Sequence, residues 1–507
     1  MEQNNTDDKE QETDKAKQMR EFRADLIWKI ERLNDFKTIR ESDSLYYFDF
    51  DTYMYDSNGV AEVRKQLRKM AGEYFTIKLK NEIVEAIKDD TQIKNPNEFF
   101  NTPKEWINLK NGALNILTRE FIPRGHLDLT EIEDKMKSVW KELLKQEGKM
   151  KEIYQNQIED LKRQRMEMII KFHNEEIKKF GRFHFTTIIP VTYDPSKTCP
   201  KINEFFYKAQ DGNEERITNL KELFGYCLLK DYPIKKLFIW YGESNTAKTT
   251  TSNLLTAFLG KSNRTTLSME ALQEDKFEKT KLKGKLANIS GELSTTFIKD
   301  TSLLKQLTGR DSISERLMHT QTISEFENYA KMIFLANVIP DTYDNQKGFF
   351  ERVKIMYFSH VFKVGVDLDD QILDKIITDD ELSGLLNESL DALNNLLKRD
   401  KFIDDKDSEN AKREYKEQAD PIDAFVDNYL DIDLDAIDSA VGLTKAEVYD
   451  LFIRYCVYLK IEPPSENKFF RKLNSIFKQL DIHTDNNRRT PDGKTYYPGV
   501  FIKKKQE

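Results

Sequence analysis

The sequence predicts a multidomain α/β protein: a central α/β core, a mixed α/β N-terminal domain with a long helical insertion, and a C-terminal winged helix. Three observations carry this. Residues 217–365 hold short apolar runs alternating with helical stretches, the pattern of a mainly parallel sheet covered by helices. Residues 130–180 contain no proline and read as two long helices. Charge then changes sign: residues 401–440 hold thirteen acids and five bases, whereas residues 441–507 hold thirteen bases and eight acids. Such a change marks separate modules with different partners.

The whole chain has 507 residues, net charge −8 and 33% charged residues. That balance argues against a nucleic-acid coat over the entire surface but leaves local basic patches open. Cys199, Cys227 and Cys456 are far apart with no C-x-x-C pair, which suits a reducing compartment without disulfides or a zinc site. No apolar run of about 18 residues is present, so no membrane span is expected.

Residues 1–21, opening "MEQNNTDDKEQETDKAKQ", are polar and predict a disordered tail without a signal-peptide core. Residues 22–216 form the N-terminal domain. There "YYFDFDTY" carries Asp49 and Asp51, a D-x-D of the kind that binds two metals in primases. No third acid on a recognisable strand and no zinc motif follows, so its aromatic alternation is read as a hairpin. Thr130 and Glu133 form a capping box that starts the insertion at 130–180. Ile132, Met136, Val139, Leu143, Met150 and Ile153 follow a 3.5-residue spacing, and Gly148 marks a turn. The repeat lapses at Gln146 and Gln157, favouring a packed helical arm over an oligomer contact.

In the core, 217–365, the expected strands are "KLFIW" (236–240), "LANIS" (286–290), "KMIFLAN" (331–337) and "VKIMYF" (353–358). After the first comes "YGESNTAKTT" (241–250), close to the phosphate-binding G-x-x-x-x-G-K-[ST] loop but with Ala247 replacing the second glycine. In such loops backbone N–H groups and a helix N-terminus surround phosphates. Gly242, Glu243, Ser244, Asn245, Thr246, Ala247, Lys248, Thr249 and Thr250 are the expected ATP contacts. Lys248 neutralises phosphate charge and Thr249 holds Mg²⁺. Ala247 is expected at the helix entrance with negative φ, which alanine adopts without strain. Glu292 ends the "LANIS" strand; a carboxylate there can hold Mg²⁺ or polarise water, the alternative being a surface glutamate. Asn337 ends the next strand, as a turn former or within reach of the γ-phosphate. Arg352 precedes the last strand, next to Glu351, with which it can pair.

Residues 366–404 read as helices and 405–440 as an acidic linker with a first helix, "QADPID" being a boundary. In 441–507, Thr444 and Glu447 form a capping box and Ser465 caps "ENKFFRKLNSIFKQL". Phe469, Phe470, Leu473, Ile476, Phe477 and Leu480 form its buried face; Lys468, Arg471, Lys472 and Lys478 form the other. With a hairpin at "TPDGK" carrying Arg488, Arg489 and Lys494, this reads as a duplex-binding winged helix, or more plainly as a soluble basic helix.

The phosphate loop, the acid-ended strand, "LLKQLTGRDSISER", "IFLANVIPD" and "FFERV" stand in the order found in superfamily 3 (AAA+) helicases. The chain resembles the group in replicative primase–helicases of satellite phages, plasmids and large DNA viruses such as poxviruses, without an evident primase domain. "WINLKNGALNI" and "FHFTTIIPVTYDPSKTCPKINEFF" resemble the segments before that helicase, and "LTKAEVYDLFIRYCVYLK" its terminal winged helix. The resemblance implies ATP and Mg²⁺ as cofactors, a homo-hexameric ring and 3′→5′ movement on single-stranded DNA. Duplex origin DNA on the winged helix, a separate primase and a prokaryotic cytoplasm also follow from it. It implies a DNA-gripping hairpin with its tip near Arg316 to Gln321, Arg316 and His319 on phosphates and Lys305 in support, and Arg352 as an arginine finger. Ala247 departs from the family, as does Gly291 where many members have a second acid, so Glu292 serves metal, water or both. The rival reading is an ATP-switched replication initiator without processive unwinding; a third is a protein-remodelling ATPase.

Overall fold

The computed structural model describes residues 4–503 except 41, 95–98, 100–102, 275–277, 293–301, 317–322, 339–346, 437–440, 460, 481, 483–488 and 490–492. Two compact units are present. One comprises Met1–Thr198, Ala257–Asn263 and Asp379–Leu390; the other comprises Cys199–Thr256, Arg264–Thr378 and Asp391–Glu507. The first boundary therefore precedes the expected one at 216. The helices Pro200–Ala209 and Glu214–Leu228 belong to the second unit, where Arg216 pairs with Asp405 at 3.4 Å and Asn219 Nδ2 donates to the Ile403 carbonyl at 3.0 Å.

In the first unit a helix spans Asn4–Leu33, correcting the expected disordered tail at 1–21. Its sequence holds neither proline nor glycine. Leu26 and Ile30, four apart, bury one face against Val63, Leu67 and Ile83 and so fix its C-terminal half. The "YYFDFDTY" hairpin forms from Ser44–Asp49 and Met54–Asp56. Asp49 caps its turn, accepting from Asp51 N at 3.0 Å and Thr52 Oγ1 at 2.7 Å. The insertion is a helix pair, Thr130–Leu143 and Gly148–Phe180, with Gly148 at φ +59° in the turn. The expected capping box is absent. Asp128 Oδ1 accepts from Thr130 N at 2.9 Å instead, and Glu133 pairs with Arg165 at 3.0 Å. Ile132 and Leu143 are buried but Met150 and Ile153 are exposed, so the 3.5-residue pattern does not form one continuous seam. Buried Glu176 accepts from Tyr53 Oη at 2.7 Å and Gly125 N at 2.8 Å, holding the long helix to the hairpin.

The second unit is built on five parallel strands: β1 (Leu237–Tyr241), β2 (Arg264–Thr265), β3 (Ala287–Glu292), β4 (Lys331–Ala336) and β5 (Val353–Tyr357). Their order is β5-β1-β4-β3-β2, with Ile239 beside Phe334 and Ile355, and Ile333 beside Ile289. All six β4 residues are buried, as two-sided coverage by helices requires. β2, with its two residues, is too short for a hydrophobic period to reveal. Between β3 and β4, Ser312–Arg316 and Ile323–Glu327 pair as an antiparallel hairpin.

Where the sequence predicts an acidic linker with a first helix over 405–440, two helices cover 406–429. Helix Lys406–Ala419 packs Ala411 and Tyr415 into the core of the sheet. Helix Pro421–Tyr429 belongs to the C-terminal module, whose core joins Ile422 and Phe425 to Phe452, Phe469, Leu473, Phe477 and Val500. The expected start at 441 cuts through that core. The boundary falls within "QADPID", where the Asp420 side chain caps the helix through Asp423 N at 3.2 Å. Leu430–Ile432 pairs antiparallel with Val500–Ile502, closing the module.

Candidate functional site

β1 ends at Tyr241 and helix Lys248–Leu259 begins seven residues later. The connection must turn sharply beside β5: a Cβ on Gly242 would lie 2.3 Å from the Phe358 carbonyl oxygen, so only glycine fits. Asn245 and Ala247 both have φ +62°. Left-handed residues inside a short turn are the backbone condition for a concavity of N–H groups that receives anions. The expectation of negative φ at Ala247 is thereby corrected, and alanine carries strain of about 1–2 kcal/mol there. Ala247→Gly is expected to raise the melting temperature by about 2 °C and keep function, whereas β-branched Ala247→Val should disrupt the loop. Differential scanning calorimetry beside nucleotide titration checks both; a lower melting temperature for the glycine variant would contradict the strain.

Lys248 is buried, and its ammonium donates to the carbonyls of Gly242 (2.7 Å) and Glu243 (2.6 Å) and to Thr246 Oγ1 (3.1 Å). A cavity of about 880 Å³ opens at the C-terminal ends of the strands, where open α/β sheets bind ligands. Ser244 to Thr250 line it together with Ser290 and Gly291 of β3 and with Leu335 and Asn337 at the end of β4. Because β4 lies between β1 and β3, Asn337 stands between the loop and the acid-ended strand. Glu292 ends β3 after an irregularity in register between Ser290 and Glu292; its side chain lies outside the described residues. A lysine, a hydroxyl after it and a helix N-terminus together make a donor set of the kind that receives an anion.

Residues 240–352 match a family model described as a family of unknown function, DUF5906. No curated protein matches. Structures of the C-terminal region of NrS-1 are similar, at 11% identity and a TM-score of 0.41, over 65% of this chain and 89% of theirs. Another structure of that region gives 10% identity and a TM-score of 0.40, over 61% of this chain and 77% of its own.

Among the described residues, the remaining sequence-predicted ones do not line this cavity. Arg352 is held within its own chain, Nη1 donating to the Lys305 carbonyl and to Thr308 Oγ1, both at 2.9 Å. Lys305 sits on helix Ser302–Leu307 before the hairpin, and Arg316 ends the hairpin's first strand. His319 and Arg488 lie outside the described residues. In the C-terminal module the Thr444–Glu447 box forms: Thr444 N donates to Glu447 Oε2 at 2.8 Å and Glu447 N to Thr444 Oγ1 at 3.3 Å. Ser465 stands at the start of helix Glu466–Gln479 without a side-chain cap bond. Phe469, Leu473 and Phe477 are buried, but Leu480 is 42% exposed and leaves the expected apolar face. Lys468, Arg471 and Lys478 are exposed, whereas Lys472 pairs with Asp420 at 3.2 Å. Arg489 forms an isolated antiparallel bridge with Thr495, next to Lys494; residues 490–492 of "TPDGK" lie outside the described residues. Among the described residues no helix is long and apolar enough to cross a membrane.

Cavity residues missed in the sequence include Phe205, Lys208, Arg264, Phe362 and Asp367. They come from separated segments and carry no local motif.

Proposed function

We propose that this chain is an ATP-dependent DNA helicase of superfamily 3, acting as a hexameric ring that moves 3′→5′ on single-stranded DNA to replicate a virus, provirus or plasmid. The observation that carries the reading is the glycine-turned loop from β1 into helix Lys248–Leu259, with Lys248 inside it and Asn337 on the cavity wall. Lys248 would neutralise the nucleotide's phosphates, and Thr249 and Glu292 would hold Mg²⁺, which would supply charge balance to those phosphates. Asn337 orients the attacking water. Measuring ATP hydrolysis with and without single-stranded DNA, beside strand displacement and native mass, tests the proposal. Duplex binding without displacement would select an ATP-switched initiator instead.

The antiparallel pair Ser312–Arg316 and Ile323–Glu327 supports the reading of a DNA-gripping hairpin, its expected tip lying outside the described residues. Arg316→Ala with His319→Ala is expected to weaken single-strand binding roughly tenfold at low salt while basal hydrolysis persists. Loss of basal hydrolysis would place these residues in the nucleotide site. Duplex origin DNA is assigned to the C-terminal module, and the observed core dictates where to cut it away. Removing residues 421–507 should leave hydrolysis intact and lower duplex affinity, with a salt slope shallower by about one for each phosphate ion pair removed. Unchanged duplex affinity would assign the module to protein docking.

A further inference from the structure

Two walls of the cavity come from outside the loop. Lys201, Phe205 and Lys208 belong to helix Pro200–Ala209, while Phe362, Asp367 and Leu368 belong to a strap that follows β5. The strap touches the phosphate loop directly: Phe362 N donates to the Asn245 carbonyl at 2.9 Å. His360 fastens it. Its Nδ1 lies 2.7 Å from Asp211 Oδ1, and its Nε2 lies 2.7 Å from Asp367 Oδ2. Asp211 stands in the turn after helix Pro200–Ala209, with φ +48°. It also accepts from Ser359 Oγ at 2.5 Å, while Asp367 Oδ1 accepts from Lys363 N at 2.7 Å. The edge of the His360 ring meets Phe362 with centroids 4.6 Å apart. Both carboxylates are acceptors, so only an imidazolium donates to both at once.

We propose that His360 is a positioning residue for the nucleotide cavity: as imidazolium it ties the strap to the end of helix Pro200–Ala209 and, through Phe362 and Asn245, fixes the phosphate loop for binding. This rests on the nucleotide reading above.

The surrounding charges set the direction of the pH response. The hydrogen bond to Asp367, ahead of the opposing burial and the bond to Asp211, raises His360 above its ordinary value of 6.5. Asp211 is lowered because its bonds to Ser359 and His360 outweigh its burial, and Asp367 is lowered first by the Lys363 amide. Arg216 faces the same cluster, donating to Ser359 Oγ at 2.8 Å, and is itself paired with Asp405 and Asp407. The clasp is therefore complete below pH 6.5, persists above it, and is lost as pH rises through the raised value of His360.

The test is a titration of the full chain with a fluorescent ATP analogue from pH 6 to 9, for the wild type, His360→Gln and Asp367→Asn. Wild-type affinity is expected to fall at least about fivefold across the alkaline limb, the lower end of coupling between linked sites. His360→Gln should bind about as weakly at pH 6 as the wild type does at pH 9, and Asp367→Asn should share that loss. Parallel pH profiles for wild type and His360→Gln would overturn the assignment. A wild type that binds no better than Lys248→Ala would overturn the nucleotide reading and the clasp with it.

Discussion

Lys248→Ala is expected to lower ATP turnover by at least about 10³-fold, the scale of losing a preorganised charge from a transferring phosphoryl group. Lys248 is the cation inside the loop, and it has donor geometry ready: its ammonium already bonds three oxygens of residues 242–246. Alanine removes the charge and leaves the Gly242 and Glu243 carbonyls facing the site, which repels phosphate. A steady-state ATPase assay checks the rate, and circular dichroism checks that the variant keeps its fold. Turnover within tenfold of wild type would remove the loop from the chemistry. Ala247→Gly separates geometry from charge at the neighbouring position, since it changes only the backbone preference.

Arg352 gives the second large effect. Under the proposed ring, Arg352→Ala should be nearly inactive alone, losing about 10³-fold or more, as arginine fingers do. Mixed with Lys248→Ala in one ring, it should regain part of the activity, because some interfaces join an intact Lys248 to an intact Arg352. One nitrogen of Arg352 already ties down the end of helix Ser302–Leu307, through the Lys305 carbonyl and Thr308. The alanine variant therefore also loosens the base of the hairpin, and Thr308→Val controls for that loss. If verified mixed rings stay inactive while Thr308→Val reproduces the defect, Arg352 acts through the hairpin base rather than across the interface.

The long strands were legible because their physics is local. "KLFIW", "LANIS", "KMIFLAN" and "VKIMYF" lie within two residues of β1, β3, β4 and β5, since strands buried on both faces need continuous apolar runs. That Lys248 and Asn337 stand at the same cavity agrees with a motif and a strand end in the sequence. Ala247 misled because its type favours helix while the turn between β1 and the helix imposes φ +62°. The helix Asn4–Leu33 was hidden by its polar N-terminal half, and only the spacing of Leu26 and Ile30 shows the face that docks. Asp211, His360 and Asp367 could not be grouped by reading along the chain. Asp211 and His360 are 149 positions apart with no common period between them, and the fold alone brings them together.

The C-terminal module is tied off by its own two ends. Leu430–Ile432 pairs with Val500–Ile502, and Lys503 N donates to the Tyr429 carbonyl at 2.8 Å. A segment that closes on itself in this way is entered from the five-stranded sheet through the chain near Asp420. In heredity such closure suits a segment to exchange as a cassette. Recombination near Asp420 would exchange the basic helix Glu466–Gln479 for another version and leave the residues around Lys248 unchanged.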